Sequence, residues 1–342
     1  LLPLIIGYIK ICANHFCYCY ILLAAHKRCV ILAERNLFMK LGFISSILES
    51  SSFEEVIDTA SELGYECVEA ACWPKEKAAR RYAGITHIDI EALTESRIAS
   101  IKQYCLLKNV AISALAYYPN TISDDLTQRQ KAVEHLKAMI IAAPKLNVST
   151  ITTFIGRVQN LTIEENLTIF KEVWTPIIRL AEQYNVKIAI ENCPMLFGPE
   201  QWPGGQNLMT TPAIWRKAFD LIPSDHFGLN YDPSHFVWQQ MDYIKPLYEF
   251  KEKIFHVHYK DIKVYRDKLE DVGTMAYPLD YMSPKLPGLG DVNWGKYVSA
   301  LTDIGYNGYS CIEIEDKAFE SSSEQILNAL RLSNRYMRQF VI

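Results

Sequence analysis

From residue 39 onward, short runs of apolar and β-branched residues alternate with longer amphipathic stretches. That alternation is the sequence form of repeated strand–helix units, which set parallel strands side by side and helices over their outer face. The expected strands are 40–44, 66–70, 110–115, 149–154, 186–191, 227–231, 254–258 and 309–313. Helical spacing of apolar residues predicts helices near 53–63, 89–107, 124–143, 163–184, 211–221, 243–250, 294–303 and 323–340. Ser52 ahead of Glu54 and Glu55, and Thr162 ahead of Glu164 and Glu165, are helix-start signals. Eight strands and eight helices close a barrel, so the expected fold class is α/β, a single (β/α)8 TIM barrel over 39–342. An open doubly wound sheet is the alternative. No Gly-x-Gly-x-x-Gly turn follows the first strand, which removes a dinucleotide site.

Composition narrows the setting. The apolar fraction is 49% and the charged fraction 22%, values of a soluble globular protein with an ordinary buried core. The formal net charge is −4 with both signs interspersed, whereas a protein that grips nucleic acid usually carries a basic excess or stripe. Nine cysteines at irregular spacing, none in a Cys-x-x-Cys pair, favour reduced thiols and a cytoplasmic location. Residues 1–38 differ in character, being apolar and cysteine-rich without periodicity. Their most apolar run, 16–25, is half of the roughly 20 residues a membrane span needs, and no convincing signal cleavage site follows it. They read as an atypical N-terminal extension outside the fold, with a targeting segment or a structural arm as alternatives. No membrane association is expected of the barrel.

Four polar residues stand where buried strands should end. Ile188-Ala189-Ile190 runs into Glu191, Leu229-Asn230-Tyr231 into Asp232, Phe255-His256-Val257 into His258, and Ser310-Cys311-Ile312 into Glu313. An ionised carboxylate in apolar surroundings is costly unless it is paired or ligates a metal. Three of them converging on one barrel mouth would repel each other, and a divalent cation relieves that repulsion. Three carboxylates and one imidazole suit one divalent ion, with Mn²⁺ the first expectation and Mg²⁺, Co²⁺ or Zn²⁺ also compatible.

Glu191-Asn192, Asp232-Pro233-Ser234-His235, His258-Tyr259-Lys260-Asp261 and Glu313-Ile314-Glu315-Asp316, in this order, resemble the xylose isomerase-like family of sugar phosphate isomerases and epimerases. Pro287-Gly288-Leu289-Gly290-Asp291-Val292-Asn293-Trp294 and Gly305-Tyr306-Asn307-Gly308 extend the resemblance, which covers about 39–340. It implies that Glu191, Asp232, His258 and Glu313 hold the metal. It further implies that Glu191 and Glu313 are the catalytic acid/base pair on opposite faces of a sugar, and that His235 contacts a substrate oxygen. His256 shares a strand face with His258 and is the rival ligand, a packed residue behind the ligands, or a substrate-side contact.

The expected chemistry is isomerase chemistry, proton abstraction next to a carbonyl through an enediolate, with isomerisation, epimerisation or dehydration as its outcomes. The expected partner is a sugar or sugar-phosphate substrate bound among Trp73, Tyr118, Arg157, His235, Lys260 and His256. Barrels of this kind often associate through loop faces, so a homo-oligomer is a further expectation. The competing readings are an endonuclease IV-like metal phosphodiesterase, which needs more histidines around its metals, and a non-catalytic sugar-binding barrel.

Overall fold

The computed structural model describes residues 39–75, 82–196 and 202–341, so the expectations for 1–38 lie outside the described residues. The strands are β1 (Lys40–Ile44), β2 (Cys67–Ala71), β3 (Ala111–Ala116), β4 (Thr150–Thr153), β5 (Lys187–Glu191), β6 (Phe227–Tyr231), β7 (Ile254–Tyr259), β8 (Asp261–Val264), β9 (Met282–Lys285) and β10 (Tyr309–Ile312). All but β8 and β9 close into one barrel in the order β1-β10-β7-β6-β5-β4-β3-β2, with every neighbouring pair parallel. The chain is therefore a TIM barrel, and the eight expected strands match the barrel strands to within one residue at each end.

The longer helices are α1 (Phe53–Glu62), α2 (Glu95–Lys108), α3 (Leu126–Ala142), α4 (Ile163–Gln183), α5 (Pro212–Leu221), α9 (Trp294–Asp303) and α10 (Ser323–Met337). Short turns of helix form α6 (Ser234–Trp238), α7 (Lys245–Glu249) and α8 (Arg266–Val272). The acidic starts of α1 and α4 are capping boxes. The Ser52 and Thr162 hydroxyls accept from the Glu55 and Glu165 amides, and each glutamate reaches back to the cap.

Strand alternation divides the core into an outer apolar layer and a polar barrel interior. On β6, Phe227 packs on Phe170 and Phe219 of the helices, and Tyr231 packs edge-on to Trp215. Asn230 lies between those outward residues and turns inward, where it meets His256 and His258 of β7. Inward positions near the top of this barrel therefore carry polar side chains rather than apolar packing.

The connection 262–291 carries secondary structure of its own. β8 and β9 pair antiparallel, and α8 lies between them. Asp261 fixes this excursion. Its Oδ1 accepts from the Ile262 and Val292 amides at 2.8 and 3.0 Å, and its Oδ2 from the Gly288 amide and Trp294 Nε1, both at 2.9 Å. A Cβ on Gly290 would lie 2.2 Å from Asp261 Oδ1, so glycine is what lets the loop close over the carboxylate.

Candidate active site at the barrel mouth

Glu191 ends β5, and the Asn192 that follows it extends the pairing with β6 through its side chain. Its Nδ2 donates to Asp232 O at 2.9 Å, and its Oδ1 accepts from Asp232 N at 2.8 Å. Asp232 then spends Oδ1 on the Ser234 amide at 2.8 Å, which leaves Oδ2 directed at the mouth. His258 lies opposite Cys311 in the β7–β10 ladder, and the Glu313 amide donates to Tyr259 O at 3.2 Å, one step past the end of β10. A second amide side chain sets the loop heights. Asn207 donates to Glu191 O and Cys193 O at 2.9 and 2.8 Å and accepts from the Ile155 and Gly156 amides, each at 3.3 Å.

These constraints bring one ligand atom each of Glu191, Asp232, His258 and Glu313 within 4.8 Å of one another. His258 Nδ1 stands 3.6 Å from Glu191 Oε1 and 3.4 Å from Glu313 Oε2. Glu191 Oε1, Asp232 Oδ2 and Glu313 Oε2 are all buried, and no backbone amide or hydroxyl donates to them. Buried anionic oxygens left in that state call for a cation, and three of them aimed at one point beside an imidazole fit a divalent ion.

Lys260 is the protein's own cation at this point. Its ammonium is almost fully buried and lies 2.9 Å from Glu313 Oε2, 3.2 Å from Asp232 Oδ2, 3.4 Å from Glu315 Oε2 and 3.9 Å from Glu191 Oε1. Burial pushes the Glu313 carboxyl up, but Lys260 and His258 outweigh it and hold Glu313 at about 2. The same contest, with Lys260 and His235 on the winning side, holds Asp232 well below the usual carboxylate range. Burial disfavours the Lys260 ammonium, yet Glu313, Glu315 and Asp232 keep it charged far above its ordinary value.

The far side of His258 rests on a residue not anticipated as functional. Its Nε2 lies 2.7 Å from Glu69 Oε2, and Glu69 Oε1 accepts from Tyr118 and Thr152 at 2.5 and 2.9 Å. Burial pushes the Glu69 carboxyl up, but His258, His256 and the Tyr118 hydroxyl hold it below the usual range. The signal for Glu69 was present as a charged residue inside the buried run Cys67-Val68-Glu69-Ala70-Ala71. Asn207 had no such signal, since its partners are distant in sequence.

The remaining expected contacts divide. Trp73, Tyr118, Glu191, His258 and Glu313 line one cavity with Tyr82, Phe154 and Met195. His235 reaches the cluster, with Nε2 3.2 Å from Asp232 Oδ2 and 3.5 Å from Glu191 Oε1. Lys260 sits among the ligand carboxylates rather than in the cavity wall. His256 does not line the cavity. It is fully buried one layer below, with Nδ1 bonded to Asn230 Oδ1 at 3.0 Å and Nε2 to Ser113 Oγ at 3.1 Å. Arg157 does not line the cavity either; its guanidinium donates Nη1 to Gly204 O at 2.6 Å, a loop carbonyl that offers it a partner. His87 and His135 are held by Ser45 Oγ and Cys72 O, away from the cluster.

Residues 57–336 match the profile of the xylose isomerase-like TIM barrel family. The inosose isomerase of Bacillus velezensis is 23% identical over 289 residues, covering 81% of this chain and 88% of that protein. A solved structure of the IolI protein with a zinc atom superposes with a TM-score of 0.65 at 19% identity, covering 88% of this chain and 99% of the other. The D-psicose 3-epimerase of Clostridium cellulolyticum, solved with D-tagatose, gives a TM-score of 0.65 at 14% identity with the same coverage. The extent of the profile match, together with the closed barrel, makes this chain a member of the xylose isomerase-like TIM barrel family.

Proposed function

We propose that the chain is a divalent-metal-dependent isomerase or epimerase of a sugar or cyclitol, working by proton transfer at carbon next to a carbonyl. One observation carries the reading. Glu191 and Glu313 both line the cavity and both turn a buried oxygen to the four-residue cluster, whereas Asp232 is fully enclosed. A carboxylate has two oxygens, so each glutamate can serve the cluster with one and exchange a substrate proton with the other. Asp232 is left as a ligand alone.

Glu191, Asp232, His258 and Glu313 would hold the ion, which when bound polarises a substrate carbonyl and its neighbouring hydroxyl as a Lewis acid. The protein's own part is positional. Trp73, Tyr118 and Phe154 present aromatic surface to a polyhydroxylated ring, and the Glu69–His258 bond keeps the imidazole oriented. The names of the similar proteins, inosose isomerase and D-psicose 3-epimerase, supply the substrate class, a polyhydroxylated ketone. The donor set accepts Zn²⁺ as readily as Mn²⁺, so both are the ions to load.

The test is turnover by protein stripped with chelator and then reloaded, across free and phosphorylated ketoses, aldoses and inosose-type cyclitols. Turnover restored by the ion supports the reading. Turnover that persists in chelator, or binding without turnover across the panel, overturns it.

A further inference from the structure

His235 Nε2 is buried, 3.2 Å from Asp232 Oδ2 and 3.5 Å from Glu191 Oε1. Near it is the thiol of Cys193, two residues beyond the end of β5 and in the wall of the cavity. The Sγ of Cys193, one ring nitrogen of His235 and one oxygen of Glu191 lie within 4.8 Å of one another. We infer that Glu191, Cys193 and His235 form a second metal site that shares Glu191 with the four-residue cluster and takes a thiophilic divalent ion such as Zn²⁺ or Co²⁺.

Three features support it. Thiolate, imidazole and carboxylate form a donor set that zinc accepts in tetrahedral geometry, and a fourth position facing the cavity would be open to a substrate oxygen. The Met195 amide donates to Cys193 Sγ at 3.4 Å, a contact that fixes where the sulfur sits. The loop carrying the cysteine is held by Asn207 through Cys193 O, so the thiol does not depend on an exposed turn for its place. Charge points the same way. Glu191, Asp232, Glu313 and Glu315 surround one ammonium, and a single divalent ion leaves carboxylate charge over for a second. The inference depends on the four-residue cluster only through the shared Glu191.

The experiment is a Co²⁺ titration of metal-free full-length protein, read by bound ions per chain and by the near-ultraviolet thiolate-to-cobalt charge-transfer band. Wild type should take two ions and show the band. Cys193→Ser should take one ion and lose it, and Glu313→Gln should take one ion and keep it. Mass-spectrometric mapping of Cys193 alkylation gives a second readout, with Zn²⁺ slowing modification in both wild type and Glu313→Gln. One ion without a thiolate band, or alkylation indifferent to Zn²⁺, overturns the second site and leaves the four-residue cluster standing. One ion whose band survives Glu313→Gln supports the thiolate site and overturns the four-residue cluster as a metal site.

Discussion

His258 Nε2 and Glu69 Oε2 meet at 2.7 Å across the barrel interior, joining β7 to β2, strands that are not neighbours in the sheet. The bond leaves Nδ1 facing Glu191 and Glu313, so a carboxylate on one wall selects which nitrogen the opposite wall presents. Partners of this kind typically raise metal affinity about 10–100-fold. Glu69→Gln should therefore weaken Zn²⁺ binding by about that factor in chelator competition, with the fold retained. Unchanged affinity would show that the bond only packs the interior.

Metal binding should release protons. Burial pushes the His258 imidazole down, but Glu69 and Glu191 outweigh it and hold it well above the ordinary value, so it is protonated at neutral pH without metal. An imidazolium offers no lone pair to a metal. Apparent affinity should therefore rise with pH, by about tenfold per unit for each proton released, across roughly pH 6 to 8. Calorimetry in buffers of different protonation enthalpy measures that release, and an affinity flat over this range would contradict it.

Asp261→Asn tests the hairpin beside the site. The carboxylate accepts four N–H groups, and an amide would turn a donor toward two of them. The expected loss of unfolding free energy is about 2–4 kcal/mol, measured by denaturant titration. A loss below about 0.5 kcal/mol would mean that the loop over 286–294 is held by other contacts.

Asn207→Ala removes the clasp between the loops after β4 and β5. It strips partners from Glu191 O, Cys193 O and the Ile155 and Gly156 amides, and should cost about 2–4 kcal/mol. Because Glu191 loses its height control, kcat should fall more than KM rises. A stability loss with unchanged kcat would show that β5 alone positions Glu191.

Much of this was legible in the sequence because the barrel repeats one local rule. Each strand is a short apolar run with a polar residue at its end, so β5, β6, β7 and β10 announced Glu191, Asp232, His258 and Glu313 without any knowledge of partners. The structure brings those four together. What stayed hidden depends on distance or on direction. Glu69 meets His258 across 189 residues of sequence, and Asn207 ties β4 to β5 through loops whose packing no local pattern describes. His256 and His258 share a face, but only depth along the strand decides which reaches the mouth and which is used up by Ser113 and Asn230. The β8–β9 pair was masked by composition, since Pro284 and the glycines of 286–290 read as loop residues although the backbone pairs on Asp261–Val264.

The central claim, proton exchange by Glu191 and Glu313, is tested most directly by solvent deuterium incorporation at the carbons next to the carbonyl. Metal-loaded wild type, Glu191→Gln and Glu313→Gln would be compared by NMR, with bound metal measured in each sample. The account predicts metal-dependent incorporation by wild type and a fall of about 10²–10⁴-fold in either glutamine variant at metal concentrations that fill the four-residue cluster. Incorporation that continues at the wild-type rate in Glu191→Gln, or in chelator, would contradict it.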